Sequence, residues 1–248
     1  MDSLPDELAW MVLIRMPWRS RLRSRAVCRR WRDILSGPAA WRDVPRERPH
    51  YALMVACRHG AIDVAARLTI QFGLTDDFDA EDYGFFEIFC RACEDGNLPV
   101  IEWLATTFKL TADDIRTEGN EALIAACSGG NFEVVRWLIA AFDLTADDVR
   151  DSNNAALQGA CSEGRLEIAR WLVETFSLTR GDARASHNYA LNLACSGGHL
   201  NIVQWLVETF GLLAADAIDC DAVETATDCY HDHIADWLTG RFGLQGAG

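Results

Sequence analysis

One residue pattern recurs along this chain at a fixed distance of 34 residues. A cysteine stands at each step from Cys93 to Cys229, and a tryptophan follows it from Trp103 to Trp205, with the last tryptophan slightly early at Trp237. Self-similarity at a period of about 20 to 50 residues is typical of stacked repeat arrays, in which each repeat buries its apolar face against its neighbours. The period therefore favours a binding protein over an enzyme with an enclosed active site.

Each repeat has the pattern of two helices joined by a tight turn. In one repeat Leu123 and Cys127 are four residues apart, as one face of a helix requires. Residues 134–141 carry apolar side chains at the spacing of a second amphipathic helix, and Trp137 belongs to that apolar face. This predicts a core role for the tryptophan. Gly130 lies between the helices, where a helix end favours a left-handed residue.

The connections between repeats carry helix-start signals. A threonine is followed three residues later by an aspartate, which is the spacing of a capping box, at Thr111 and Asp114, Thr145 and Asp148, and Thr179 and Asp182. A short helical turn is therefore expected at each connection.

The repeats resemble the ankyrin family. The pattern A-L-x-x-A-C-x-x-G-x-x-x-V-V-x-W-L stands where ankyrin repeats carry L-H-x-A-A-x-x-G-H-x-x-V-V-x-x-L-L, and it covers residues 51–248 in about six repeats, the first two and the last degenerate. The tetratricopeptide repeat, which also has 34 residues, carries its tryptophan in the first helix and is disfavoured. Because no repeat has Thr-Pro-Leu-His, the presence of ankyrin β-hairpin fingers stays open. Repeats of the form W-L-x-x-x-F-x-L-T resemble those of giant viruses, amoebae and other protists.

The first fifty residues have a different composition. They carry eleven arginines and six acids, for a charge of +5. The remaining residues carry a charge of −19, which gives the chain its net charge of −14. Such a break indicates a separate module, and the Pro- and charge-rich stretch near Pro45 to Pro49 has the composition of a linker. We expect a module at residues 1–45, a linker at 46–50 and repeats at 51–248.

The N-terminal module resembles the F-box, a three-helix unit. The motif L-P-x-E-L, I-L, L-P, V-C-R-x-W is matched at F-box spacing. The resemblance implies docking on a Skp-family adaptor, and through it on a cullin-based ubiquitin ligase, with the repeats selecting a protein substrate. The positions that the resemblance assigns to adaptor contact are Leu4, Pro5, Leu8, Leu13, Val27, Cys28 and Trp31. The fold class expected is therefore all-α, an N-terminal three-helix F-box followed by an ankyrin-like helical repeat solenoid.

The middle of the F-box segment departs from the family pattern. Arg21, Ser24 and Ala26 stand where F-boxes usually carry leucines, and residues 19–25 are strongly cationic. This leaves open an alternative, a protein-interaction scaffold of ankyrin type without ligase engagement. Binding of nucleic acid by the arginines is disfavoured because the rest of the chain is acidic and repels phosphate.

Composition and missing motifs narrow the function further. No run of apolar residues is long enough to span a membrane, and the acidic N-terminus does not fit a secretion signal. Cysteines at one repeat position, Cys57 and the series from Cys93 to Cys229, fit small buried residues in a reduced cytoplasmic or nuclear chain, in a host cell if viral. The lone Cys90-x-x-Cys93 has no second pair, so no metal or cofactor is expected, and no catalytic motif is present. The prediction is a non-catalytic adaptor.

Residues that change between otherwise equivalent repeat positions are the candidates for binding a protein partner. They lie on the first helices, where repeat arrays present their binding surfaces. Because the repeats are acidic, the partner is expected to be basic or neutral. The candidates are Glu121, Ile124, Gln158, Tyr189 and Asn192.

Overall fold

The computed structural model describes residues 49–74, 85–117 and 119–244, and all regular structure within these ranges is helical. The all-α fold class predicted from helical periodicity is thereby confirmed. No helix in the described ranges has the length and apolar character needed to cross a membrane. In chain order the helices are α1 (Pro49–Arg58), α2 (Ile62–Phe72), α3 (Phe85–Asp95), α4 (Leu98–Thr107), α5 (Ala112–Thr117), α6 (Glu121–Gly129), α7 (Phe132–Ala141), α8 (Ala146–Ser162), α9 (Leu166–Phe176), α10 (Arg180–Ala183), α11 (Ala185–Ser196), α12 (Leu200–Phe210), α13 (Ala214–Asp219), α14 (Ala222–Asp228) and α15 (Asp232–Phe242).

The described residues fall into two compact parts. The first contains α1, α2, α4 and most of α3, and the second contains residues 93–96 and 110–244. In the first part α1 packs on α2, and Leu53 and Leu68 are buried there. Helix α1 begins at Pro49, within the stretch that composition marks as a linker.

The second part repeats one arrangement. Each first helix packs on its own second helix, as α6 does on α7 and α11 on α12, and each also packs on the first helix of the next repeat. The first helices α6, α8, α11 and α14 are thus consecutive neighbours. Every repeat hides its apolar side chains between its own pair and the adjoining pair, which is how a repeat too small for its own core becomes stable.

The turns between paired helices have the predicted left-handed glycine. Gly130, Gly164 and Gly198 have φ of 81°, 73° and 78°. After each glycine the next backbone N–H donates to a carbonyl five residues earlier, for example from Asn131 to Ala126 at 3.1 Å. This bond satisfies a carbonyl that the ending helix leaves free. The tight turn between helices is therefore confirmed.

The last repeat is two residues shorter than the sequence series suggests. The turn bond runs from His199 to Ala194 in the fifth repeat and from His231 to Ala226 in the sixth, a step of 32 residues. Ala226 is fully buried, whereas Cys229 is exposed. The prediction that Cys229 continues the buried cysteine position was wrong, because the shorter connection shifts the helix register and brings Trp237 early.

The other cysteines of the series have the expected small buried role. Cys57, Cys93, Cys127, Cys161 and Cys195 are all buried free thiols. Burial disfavours the thiolate and raises the pKa of Cys161 to about 12. These thiols are therefore packing groups with little nucleophilic character at neutral pH.

The tryptophans are less buried than their place on an apolar face suggested. Trp205 is buried, but Trp137 and Trp171 are only half-buried. Each packs edge-to-face on the phenylalanine five residues later, as Trp171 does on Phe176 with ring centroids 6.1 Å apart. Trp171 also meets Phe132 of the preceding repeat at 5.4 Å. The indoles therefore pack along the second helices, with part of the ring in water.

Candidate protein-interaction surface

Four short helical segments follow the second helices, and we call them fingers: residues 112–117, 146–150, 180–183 and 214–219. The predicted capping boxes start the first three. The Thr145 N–H donates to Asp148 Oδ2 at 2.7 Å, and the Thr179 N–H donates to Asp182 Oδ2 at 2.6 Å. In the described residues these fingers are helical and contain no strand, which resolves the open question of hairpin fingers there.

An arginine joins each finger to the next. Arg116 Nε donates to Asp148 Oδ1 at 2.7 Å. Thirty-four residues later, Arg150 Nε donates to Asp182 Oδ1 at 3.0 Å, and its Nη2 donates to the carbonyl of Phe176 at 3.2 Å. The carboxylate that caps one finger thus also binds an arginine of the finger before it. Such charge-assisted bonds tie consecutive repeats together.

The aspartate of the fourth finger binds two different arginines. Asp216 accepts from Arg180 Nη2 at 3.1 Å, and Arg184 Nη2 lies 2.6 Å from its other oxygen. The Leu213 N–H adds a third contact at 2.7 Å. Burial by itself would raise the pKa of Asp216, but these donors outweigh it and lower the pKa below its ordinary value. Asp148 and Asp182 have lowered pKa values for the same reasons, with burial opposed by their threonine and arginine donors.

The chain turns from the second and third fingers into the next first helix through three consecutive left-handed residues. Ser152, Asn153 and Asn154 have φ of 50°, 61° and 64°, and the same conformation recurs at residues 186–188. Asparagine enters this region more readily than most residues because its short amide can bond locally. The sequence signal that was available for this turn is the asparagine that begins three of the repeats, at Asn120, Asn154 and Asn188.

The recurring asparagines are buried and face the next repeat. Asn120 Nδ2 donates to Asp151 Oδ2 at 3.3 Å, and Asn188 Nδ2 donates to Asp219 Oδ2 at 3.1 Å. Between these two, Asn154 has Ala185 at the matching position, so that carboxylate is missing. Asn120 and Asn188 therefore hold neighbouring turns in register rather than presenting themselves to a partner.

The residue after each left-handed turn position, which is glycine in three repeats and Tyr230 in the last, reaches back to the preceding repeat. In each case a side-chain nitrogen meets a carbonyl at the end of the preceding first helix. A carbonyl only accepts, so the two histidines carry a proton on Nε2. The contacts are Asn131 to Glu94 at 2.6 Å, Arg165 to Ser128 at 3.0 Å, His199 to Ser162 at 3.0 Å and His231 to Ser196 at 3.1 Å. Sequence reasoning missed this position, although donors alone occupy it in these four repeats.

Three of the predicted partner-binding residues present their side chains to water. Glu121 opens α6 and is exposed, and Ile124 lies one turn later, half-buried. Tyr189 follows the left-handed turn into α11 and is 45% exposed. Their role in binding a partner stays a prediction.

The other two predicted residues make bonds within the chain. Gln158 Nε2 donates to the carbonyl of Asn153 at 2.7 Å. Asn192 Nδ2 donates to the carbonyl of Cys220 and to Thr225 Oγ1, both at 2.7 Å. Asn192 thus fastens α11 to the start of the last repeat. Any partner that used this amide would have to compete with those bonds.

The predicted adaptor-contact residues, Leu4, Pro5, Leu8, Leu13, Val27, Cys28 and Trp31, lie outside the described residues. Comparison with known proteins addresses this segment. Residues 1–46 match the F-box-like family, and residues 89–182 match ankyrin repeats in three copies. The chain is also 52% identical over 42 residues to human F-box only protein 17, which covers 16% of this chain and 15% of that relative. The chain therefore carries an F-box-like segment followed by ankyrin repeats, and it spans only a small fraction of that relative's length.

Proposed function

We propose that this protein is the substrate-recruiting subunit of a Skp–cullin–F-box ubiquitin ligase, with its helical repeats binding the target protein. The observation that carries the proposal is the pairing of an F-box-like segment at residues 1–46 with ankyrin repeats in one chain. In such an arrangement one end attaches to the ligase and the other selects what is modified. The protein itself is then non-catalytic, since partner subunits transfer the ubiquitin.

The repeats are suited to holding a protein rather than a small molecule. The structure ties successive repeats together through the arginine–aspartate bonds between fingers, so exposed residues of neighbouring repeats are held at fixed spacing. The described residues contain no group of His, Cys, Asp and Glu side chains that could hold a metal ion. Proteins bound by such surfaces are selected by shape and charge. Because the repeats are acidic, we propose a basic or neutral target, met in the cytoplasm or nucleus, of a host cell if the chain is viral.

Adaptor binding is tested by co-purification with a eukaryotic Skp-family adaptor. The intact chain should bind, and the double variant Leu4→Ala/Pro5→Ala should not, because those residues match the family's adaptor-contact motif. Glu121→Ala is the matched control, since it changes an exposed residue of the repeats and should leave adaptor binding intact. A second candidate, a scaffold that no longer engages the ligase, is favoured by the cationic residues 19–25 and by Arg21, Ser24 and Ala26 at positions where F-boxes usually carry leucines. Failure of the folded, intact chain to bind adaptor would select that second candidate.

A further inference from the structure

The fourth finger differs from the three before it at two positions. Leu213 stands where the earlier fingers have a capping threonine, and Ile218 stands where they have an arginine. Both side chains are large and apolar, yet they are 57% and 59% exposed. A contiguous patch of exposed apolar groups with polar residues around it marks a site where another molecule binds.

In the earlier fingers, the threonine and the arginine at these two positions make hydrogen bonds. At the preceding finger Thr179 Oγ1 bonds Asp182 at 2.9 Å. Arg150 reaches the next finger's aspartate, whereas Ile218 can make no such bond. If no following finger offers an aspartate, an arginine is not needed at position 218, and a small polar residue could stand there instead. This does not explain a branched apolar side chain left in water.

A third exposed apolar residue is the sequence neighbour of a residue that bonds this finger. Tyr189 directly follows Asn188, whose Nδ2 bonds Asp219 at 3.1 Å, and Asp219 directly follows Ile218. Among the described residues of the second compact part, the large apolar residues that are exposed are Tyr189, Leu213, Ile218 and Tyr230. All four lie in its C-terminal half. We name Tyr189, Leu213 and Ile218 the α13 surface.

The charge of the chain from α13 onward limits what can cover the α13 surface. Between Leu212 and Gly240 the chain has no lysine or arginine. Asp216 is buried and paired with arginines of earlier residues, and the other acids of this stretch are exposed. They are Asp219, Asp221, Glu224, Asp228, Asp232 and Asp236. The same face of a second copy would bring the same acids and be repelled, whereas a basic segment would be attracted.

We infer that the α13 surface is the docking site for a lysine- or arginine-rich segment of another protein that carries bulky apolar side chains. The apolar side chains cover Leu213, Ile218 and Tyr189, and the cations meet the surrounding acids. The further step of identifying this segment with the ligase target rests on the proposed function.

The test measures binding of a labelled synthetic amphipathic peptide made of leucine and lysine to the full chain, by fluorescence anisotropy. Leu213→Thr/Ile218→Thr removes the apolar groups without changing the charge and should weaken binding by at least about tenfold, as loss of central apolar contacts does. Asp221→Asn/Glu224→Gln removes charge only, and should weaken binding at low salt and less at high salt. Ile70→Thr, at an exposed isoleucine of the first compact part, is the control and should bind as the intact chain does.

A matching peptide of leucine and glutamate should not bind. Unchanged affinity of Leu213→Thr/Ile218→Thr, or no binding of the leucine–lysine peptide by the intact chain, would overturn the inference. So would a dimer of the intact chain that this double variant dissociates, because the surface would then join two copies. Leu4→Ala/Pro5→Ala should bind the peptide normally, so a failure of adaptor binding and a failure of this docking site are separately visible.

Discussion

Asp182 offers the most direct test of how the repeats are joined. Its carboxylate accepts the N–H and hydroxyl of Thr179 within its own finger, and Arg150 Nε of the finger before. Asp182→Ala removes all three bonds. Asp182→Asn keeps the size and one oxygen acceptor but removes the charge that Arg150 meets. Comparing the two variants separates the cap from the bond between repeats.

The magnitude follows from these contacts. Loss of a helix cap costs about 1 kcal/mol. The bond with Arg150 is charge-assisted, but the arginine side chain is 34% exposed and that of Asp182 13% exposed, so water weakens it. We assign it about 1 kcal/mol, between the values for exposed and buried pairs. Asp182→Ala should therefore lower the free energy of unfolding by about 2 kcal/mol, and Asp182→Asn by about half as much.

The effect of Asp182 should also depend on pH. Burial acts to raise the pKa of Asp182, but its threonine and arginine donors lower it below its ordinary value. A carboxyl with a lowered pKa in the folded state stabilises the protein above the unfolded-state pKa of about 4, and that stability is lost as the pH falls through the folded-state pKa. The difference between the intact chain and Asp182→Asn should be full at neutral pH and shrink in acid.

The assay is urea unfolding of the full chain, followed by helical circular dichroism at neutral and acidic pH. Asp147→Ala is the control, because Asp147 is an exposed acid of the neighbouring finger, and it should change stability by less than about 0.5 kcal/mol. An effect of Asp182→Ala no larger than this control, or a difference that does not shrink in acid, would refute the reasoning.

Further variants test the packing of the repeats. Tyr230 occupies a left-handed turn position that other repeats give to glycine, so Tyr230→Gly should stabilise the chain by about 0.5 to 1 kcal/mol in urea unfolding; a loss of stability would show that the ring packs. Trp171→Ala should cost about 2 kcal/mol and fully buried Leu172→Ala about 3 kcal/mol; the reverse order would restore the tryptophan as the core residue. In thiol titration of the native chain, Cys229→Ser should remove one fast-reacting thiol, whereas Cys161→Ala should remove none; fast reaction of Cys161 would contradict its burial.

Features set by nearby residues were predicted from the sequence. The capping boxes at Thr145 and Thr179 and the left-handed turn at Gly130 each depend on residues a few positions apart. Such contacts form within one helix end, whatever packs against it. The helical fingers follow from the same local chemistry.

Features that depend on a partner in another repeat were missed. Nothing local indicates that Arg150 binds Asp182, or that His199 meets the carbonyl of Ser162, because these partners are more than thirty residues away. Regular spacing even misled at Cys229. That residue keeps the step of 34, but the turn bond at His231 shows that the last repeat had already lost two residues.

The amino-acid sequence by itself determined the helical repeat, its turns and caps, and the change to an F-box-like segment at the N-terminus. Periodicity and short-range hydrogen bonds depend on residues that are close in sequence, so they can be predicted without knowing which residues of other repeats are in contact. The tertiary structure alone decided which donors join neighbouring repeats and which apolar residues stay in water. Leucine and isoleucine are residue types typical of a protein core. Only the packing of α13 shows that nothing in the described chain buries Leu213 and Ile218.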